Sequence, residues 1–143
     1  MTNEKQAAIS TVSDFLDNYA RKNLENCISA IVATTPILLL GTNDNEVFRS
    51  TEEIRAALTR DFGSMEDVRW GAHRYLHVET AANLASVVLE LSIAYTATGQ
   101  ETVKDIETLF RYAFTLVKED QQWKICAALA SVPFATGTYS FGQ

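Results

Sequence analysis

The sequence predicts an α+β domain in which three N-terminal helices pack on a strongly curved, mostly antiparallel sheet. Three observations lead to this reading. Apolar residues recur at three- and four-residue steps through the first sixty-odd positions, the period of a helix with one buried face. From residue 68 onward the pattern changes to long, strand-like runs punctuated by polar turns. The last of these runs, residues 106–133 (IETLFRYAFTLVKEDQQWKICAALASVP), reads as a hairpin too long to fold alone, so it forms the centre of a curved sheet. Helices first and strands afterwards is the order of an α+β layout with the helices on one face.

Residues 3–21 place Ile9, Val12, Phe15, Leu16 and Tyr19 on one helical face. Arg21 and Lys22 suit the C-terminal end of that helix, where the dipole is negative. Asn23 caps a short second helix carrying Leu24, Ile28 and Ile31, and Thr34-Thr35-Pro36 ends it, because the residue before proline avoids helical backbone. Residues 37–40 are a short strand, either buried on both faces or ending beneath a helix. A polar turn at 41–45 follows, and 46–48 pair back on that strand. Ser50-Thr51-Glu52-Glu53 is a capping box that opens a third helix with Ile54, Leu58, Phe62 and Met65 on its inner face and Gly63 near its end.

The strands are expected at 68–79, 84–98, 106–117 and 123–133, with turns at 80–83 and 118–122 and a loop at 99–105. In the third of them Ile106, Phe110, Tyr112, Phe114 and Leu116 alternate with the mixed set Glu107, Leu109, Arg111, Ala113, Thr115 and Val117. Both sets carry apolar residues, so alternation leaves open which face looks inward. No repeat, low-complexity tract or linker interrupts the chain, and residues 1–143 read as one domain.

Composition narrows the function. At 47% hydrophobic and 21% charged the chain is globular, and its net charge of −6 argues against a nucleic-acid partner, which needs a surplus of Lys and Arg. No apolar run reaches the roughly 18 residues of a membrane span, and the N-terminus lacks the apolar core of a secretory signal. Cys27 and Cys126 sit in no redox or metal motif and read as reduced structural thiols, so the expected compartment is the cytoplasm. No cofactor motif and no metal-ligand set is present: there is no phosphate loop, no G-x-S-x-G, and Thr42–Glu46 has the wrong spacing for a calcium loop.

The succession of helix, short helix, ILLLGTNDNEVFRSTEEIRAAL and FRYAFTLVKEDQQWKICAALASVP resembles the SnoaL-like branch of the NTF2-like superfamily over residues 5–134. Arg49–Arg55 and Trp123–Ile125 carry the resemblance most strongly. It implies a cone, a curved antiparallel sheet around a long helix with a pocket at the open end, and homodimers formed through the outer sheet face. Members include isomerases, polyketide cyclases, dehydratases and noncatalytic scaffolds, so fold fixes little about function. The acid–base residues of the steroid isomerases are missing where they would match. Residues 37–40 contain no aspartate base, Phe15 stands where a tyrosine is expected, and 109–117 contain no aspartate. Leu129 stands where many SnoaL-like chains carry a histidine.

Several residues remain as site candidates. Arg111, mid-strand among apolar neighbours, needs a partner, and Glu90 and Glu107 are placed to supply one. It either binds a ligand carboxylate or carbonyl, or forms a structural or interface ion pair. His73 and His77 would be about 13 Å apart on a strand, too far to share a metal ion, although either is suited to acid–base work near neutral pH. Arg111, Glu90 and His73 are therefore the catalytic candidates. Trp70 and Tyr95 are candidates for an aromatic pocket, as are Tyr112 and Trp123. Phe15, Tyr19, Phe62, Glu107 and Arg111 complete the expected ligand-binding set. The leading expectation is a homodimeric domain whose mostly apolar cavity binds a small hydrophobic molecule with little or no catalysis. The alternatives are an isomerase, cyclase or dehydratase acting on a hydrophobic carbonyl compound, and a pure association module.

Overall fold

The computed structural model describes residues 3–98 and 104–138. Helix α1 (Asn3–Ala20) forms around Ala8, Ile9, Val12 and Leu16, one apolar stripe that is wholly buried. The chain leaves it at Lys22, whose φ of 58° lets the Lys22 and Asn23 amides donate back to Tyr19 O and Asn18 O. Arg21 and Lys22 thus stand just past the helix. Helix α2 (Leu24–Ser29) is capped by Asn23, which accepts from the Asn26 amide at 3.1 Å. Ile31, expected on this helix, lies beyond it and bridges to Ile125.

Strands β1 (Leu38–Leu40) and β2 (Val47–Phe48) form a small antiparallel pair around the polar turn. β1 is half-buried rather than buried on both faces. Helix α3 (Thr51–Ser64) starts at the expected capping box: Ser50 Oγ accepts from the Glu53 amide at 3.1 Å, and Glu53 Oε1 accepts from the Arg49 amide at 3.0 Å. Met65 is extended and opens the next strand, so it does not belong to the helix face on which its spacing placed it.

The sheet then runs through β3 (Met65–Trp70), β4 (Arg74–Ala81), β5 (Leu84–Ala97), β6 (Lys104–Glu119) and β7 (Gln122–Ser131). Its order is β2-β1-β7-β6-β5-β3, with β4 also on β5; among the described strand pairs β1 with β7 is the parallel one. The strand expected at 68–79 is two strands, interrupted at 71–73, where the Gly71 amide donates to Ser92 O at 2.8 Å. β3 and β4 thereby occupy successive stretches of one edge of β5. Register shifts at Glu66/Arg69, Tyr75/His77 and Thr115/Leu116 bend these strands, as extra residues in a ladder do. Most of the loop expected at 99–105 lies outside the described residues.

On β5 the residues Ala85, Val87, Leu89, Leu91 and Ile93 are buried, and on β6 Phe114 and Leu116 are buried beside them. This row packs on α1 to form one apolar cluster, while α2, α3 and Ile31 and Val32 form a second. Phe15 and Leu39 touch both clusters, and the space between them is incompletely filled. The reason lies on β7. Cys126 is an extra residue in the β6–β7 ladder, so Trp123 and Ile125 face inward before it and Ala128 and Ala130 after it. Opposite Phe114 and Tyr112, β7 contributes only methyl groups.

Candidate functional site

The unfilled space is a cavity of about 190 Å³, roughly the liquid volume of six waters. Most of its wall is apolar: Leu16 and Phe15 from α1, Leu39 from β1, Leu58 from α3, Ile93 from β5 and Phe110 from β6. Polar groups gather in one part of the lining. Tyr19 on α1 donates from its hydroxyl to Asp61 Oδ2 on α3 at 2.8 Å, and Tyr112 and Glu46 also line the cavity. Tyr19, Trp70 and Tyr112 form a continuous aromatic wall, with ring centroids 5.8 Å and 6.2 Å apart along the series. Trp70 is locked in place by its indole N–H, which donates to Leu16 O at 2.7 Å.

Asp61 occupies the helical stripe of Ile54 and Leu58, seven residues after the first and three after the second, so α3 aims a carboxylate where an apolar side chain would be expected. Burial raises its pKa. The Tyr19 hydrogen bond opposes that rise, the Glu46 charge adds to it, and Arg60 opposes it. Burial, reinforced by Asp61, drives the Tyr19 pKa far above its ordinary value, and burial does the same for Tyr112. Both phenols therefore remain protonated hydrogen-bond donors. Tyr19 spends its proton on Asp61, whereas the Tyr112 hydroxyl has no hydrogen-bond partner among the described residues.

Glu46 reaches this position because the turn folds back on itself. The Gly41 amide donates to Glu46 O at 2.9 Å, and Glu46 Oε1 accepts from the Asn43 amide at 2.8 Å. Gly41 leaves the room required, since a Cβ there would lie 2.7 Å from Glu46 Cβ. The turn with the failed calcium-loop spacing thus supplies a carboxylate to the cavity. Among the described residues, Glu46 and Asp61 are the charged side chains of the lining; no Lys, Arg or His belongs to it.

Of the expected site residues, Phe15, Tyr19, Trp70 and Tyr112 line the cavity. Phe62 packs edge-on against Tyr19 at 5.3 Å from outside the lining. Tyr95 influences Tyr19 electrostatically, yet it does not line the cavity. Arg111, Glu90 and Glu107 are elsewhere. Glu107, Leu109, Arg111 and Ala113 of β6 are exposed on the outer face of the sheet, where Arg111 Nε donates to Glu90 Oε2 at 2.9 Å and Arg74 Nη1 reaches Glu90 Oε1 at 3.3 Å. Glu107 is exposed on the same face, across from Ala94. The Arg111–Glu90 pairing was one of the two anticipated, but it is not in the cavity. His73 sits in the 71–73 connection with Nδ1 3.3 Å from the Tyr75 hydroxyl, away from the cavity lining. Trp123 packs in the core against α1, and Cys27 is a buried thiol pushed up to about 12 by burial, unsuited to act as a nucleophile.

The SnoaL-like domain family matches residues 9–135, nearly the whole chain. This chain belongs to that family. Solved structures similar to it include a ketosteroid isomerase-like protein from Erwinia carotovora atroseptica, at 15% identity and a TM-score of 0.78, covering 94% of this chain and 100% of that one. A proposed scytalone dehydratase from Novosphingobium aromaticivorans has 14% identity and a TM-score of 0.79, with 98% and 94% covered. A nuclear transport factor 2-like superfamily protein from Salmonella enterica has 13% identity and a TM-score of 0.77, with 94% of each covered. At these identities the likeness establishes the NTF2-like fold and nothing about activity. Curated protein sequences contain no significant match.

This SnoaL-like chain adds two unanticipated carboxylates, Asp61 and Glu46, to the expected Tyr19 and Tyr112. β1 offers only leucines, but Asp61 provides a carboxylate from α3. Phe15 has no hydroxyl, but Tyr19, one helical turn on, has one. Leu129 is 48% exposed and points outward, so the cavity-facing positions of β7 are Ala128 and Ala130. Chemically, the site can place one free phenolic donor, that of Tyr112, and two carboxylates against a small apolar ligand.

Proposed function

We propose that this SnoaL-like domain binds a small, mostly hydrophobic molecule in the cavity between α1, α3 and the sheet, with little or no catalysis. The observation that carries this reading is an apolar enclosure with a polar group of Tyr19, Asp61, Glu46 and Tyr112 on one side, the usual division of labour in a ligand pocket. Its size favours a ligand of one ring or a short branched chain. An unfilled interior also counts against a pure association module.

A second reading, an isomerase, cyclase or dehydratase working on a hydrophobic carbonyl compound, draws support from Asp61. A half-buried carboxyl whose pKa is raised by burial, set beside a cavity, is the kind of group that serves in proton transfer. Its weakness is electrostatic. Proton abstraction next to a carbonyl develops an oxyanion, and here two carboxylates line the same space as the free Tyr112 and Thr42 hydroxyls, with no cationic side chain among the described lining residues. Binding is therefore the preferred reading.

We also propose a cytoplasmic homodimer through the outer sheet face. Leu109 and Leu129 are 40% and 48% exposed there, flanking the Arg111–Glu90 pair, as an apolar patch around a charged anchor would. Native mass spectrometry of the purified protein tests both points. A dimer carrying a small co-purified mass is the expected result. A bare monomer would overturn the dimer, and bare protein that gains no mass on incubation with small aromatic compounds would overturn the binding reading.

A further inference from the structure

The charge of the cavity narrows the chemistry of its ligand. Asp61 and Glu46 contribute two carboxylates, and no basic side chain among the described residues lines the space with them. Asp61 Oδ2 accepts from Tyr19 and Glu46 Oε1 from the Asn43 amide, so each carboxylate has one oxygen engaged. The other oxygens, Asp61 Oδ1 and Glu46 Oε2, have no hydrogen-bond donor among the described residues. Acceptors therefore outnumber donors. A neutral carbonyl ligand would use the Tyr112 or Thr42 hydroxyl and leave the carboxylates uncompensated, and an anionic ligand would meet repulsion from both.

The aromatic wall points the same way. Tyr19, Trp70 and Tyr112 are in tilted and T-shaped contact, at interplanar angles of 46° and 78°, and all three rings line one space. The faces of such rings carry negative potential and attract a cation held near them, most strongly when it is desolvated. Carboxylates and ring faces together are the combination that recognises an organic ammonium group.

We propose that the ligand of this cavity is a small hydrophobic cation, an amine in its protonated or alkylated ammonium form, whose charged end lies between Asp61 and the Tyr19–Trp70–Tyr112 wall. The inference rests on the reading that the cavity takes a ligand, and it adds the sign of that ligand's charge. The hydrocarbon part occupies the space beside Ala128 and Ala130, where β7 contributes only methyls.

The test uses three ring compounds of nearly equal size and different charge: benzylamine, benzyl alcohol and benzoate. Each is titrated into the full chain at neutral pH while the indole N–H resonance of Trp70 is followed by NMR, since that group hydrogen-bonds within the wall of the site. Benzylamine is expected to bind tighter than benzyl alcohol by about tenfold or more, with benzoate weakest. Asp61→Asn should remove most of the advantage of benzylamine over benzyl alcohol, and Glu46→Gln should reduce it less. Equal affinity for amine and alcohol, or preference for benzoate, would overturn the cation and leave the cavity reading standing. No Trp70 response to any of the three would overturn both. The comparison among ligands needs only the unaltered chain, so it decides the matter even where a variant fails to fold.

Discussion

The Tyr19 hydroxyl donates a 2.8 Å hydrogen bond to Asp61, and that contact joins α1 to α3 at the cavity wall. It places a proton donor and a carboxylate from distant parts of the chain side by side in partly dehydrated surroundings, where each stiffens the other. The polar side of the cavity is built around it.

Removing the hydroxyl isolates the carboxylate. Tyr19→Phe should destabilise the fold by about 1–2 kcal/mol, the low part of the range for a hydrogen bond to a charged group because Asp61 keeps some solvent contact. Urea unfolding at neutral pH measures it, with an unchanged m-value expected. A variant as stable as the parent would show that the contact holds nothing in place.

Asp61 also makes stability depend on pH in a defined direction. Its folded pKa lies above the ordinary 3.8, raised first by burial and then by Glu46, against Tyr19 and Arg60, so the folded state holds the proton more tightly than the unfolded chain. The resulting stabilisation is complete below 3.8 and is lost as pH rises through the folded value. Asp61→Asn cannot titrate, so the parent's stability relative to this variant should fall with rising pH over that window and then level off. Unfolding free energies compared at several pH values check this, and a relative stability that rises with pH would contradict it.

Glu119 shows the opposite sign. Its carboxylate accepts from the Ala33, Thr34 and Thr35 amides, at 2.8, 3.0 and 3.2 Å, and from both threonine hydroxyls, tying the segment after α2 to the end of β6. These bonds hold its pKa at about 2, led by the Ala33 amide, against an ordinary 4.5. The stabilisation is present above 4.5 and is lost as pH falls toward 2. Glu119→Gln should lower the melting temperature at neutral pH by a few degrees, and the gap should close in acid. Thermal melts across that range measure it; a gap that widens in acid would be the wrong sign.

Arg111 belongs to the outer face, and its replacement should report on association. Arg111→Ala should leave binding in the cavity unchanged while weakening self-association, because it frees the low-pKa Glu90 carboxylate from its chief partner in the middle of that face. Sedimentation velocity and ligand titration on one preparation separate the effects. Loss of ligand binding with association intact would return Arg111 to the cavity.

Local features were legible in the sequence because they depend on residues a few positions apart. The Asn23 and Ser50 caps, the stripe of Val12 and Leu16, and the Lys118–Gln122 reversal with Asp120 and Gln121 at positive φ all follow from spacing and turn chemistry. Phe15, Tyr19 and Trp70 could be nominated for the site because large aromatics on an inner face have few other places to go. The side of the sheet on which Arg111 lies could not be read, since both faces of β6 carry apolar residues and alternation gives a period without an origin. Packing against α1 supplied the origin. Asp61 had one signal, its place on the Ile54–Leu58 stripe, but a helical carboxylate is ordinarily solvated and only the meeting of α1 with α3 puts it against Tyr19. Leu129 faces outward because the extra residue at Cys126 reverses the parity of β7, which no local pattern announces. Sequence determined the elements and the family, through short-range periodicity and capping. Tertiary structure alone decided the cavity and its charge, because those arise where helices and strands distant in the chain bring their side chains to one place.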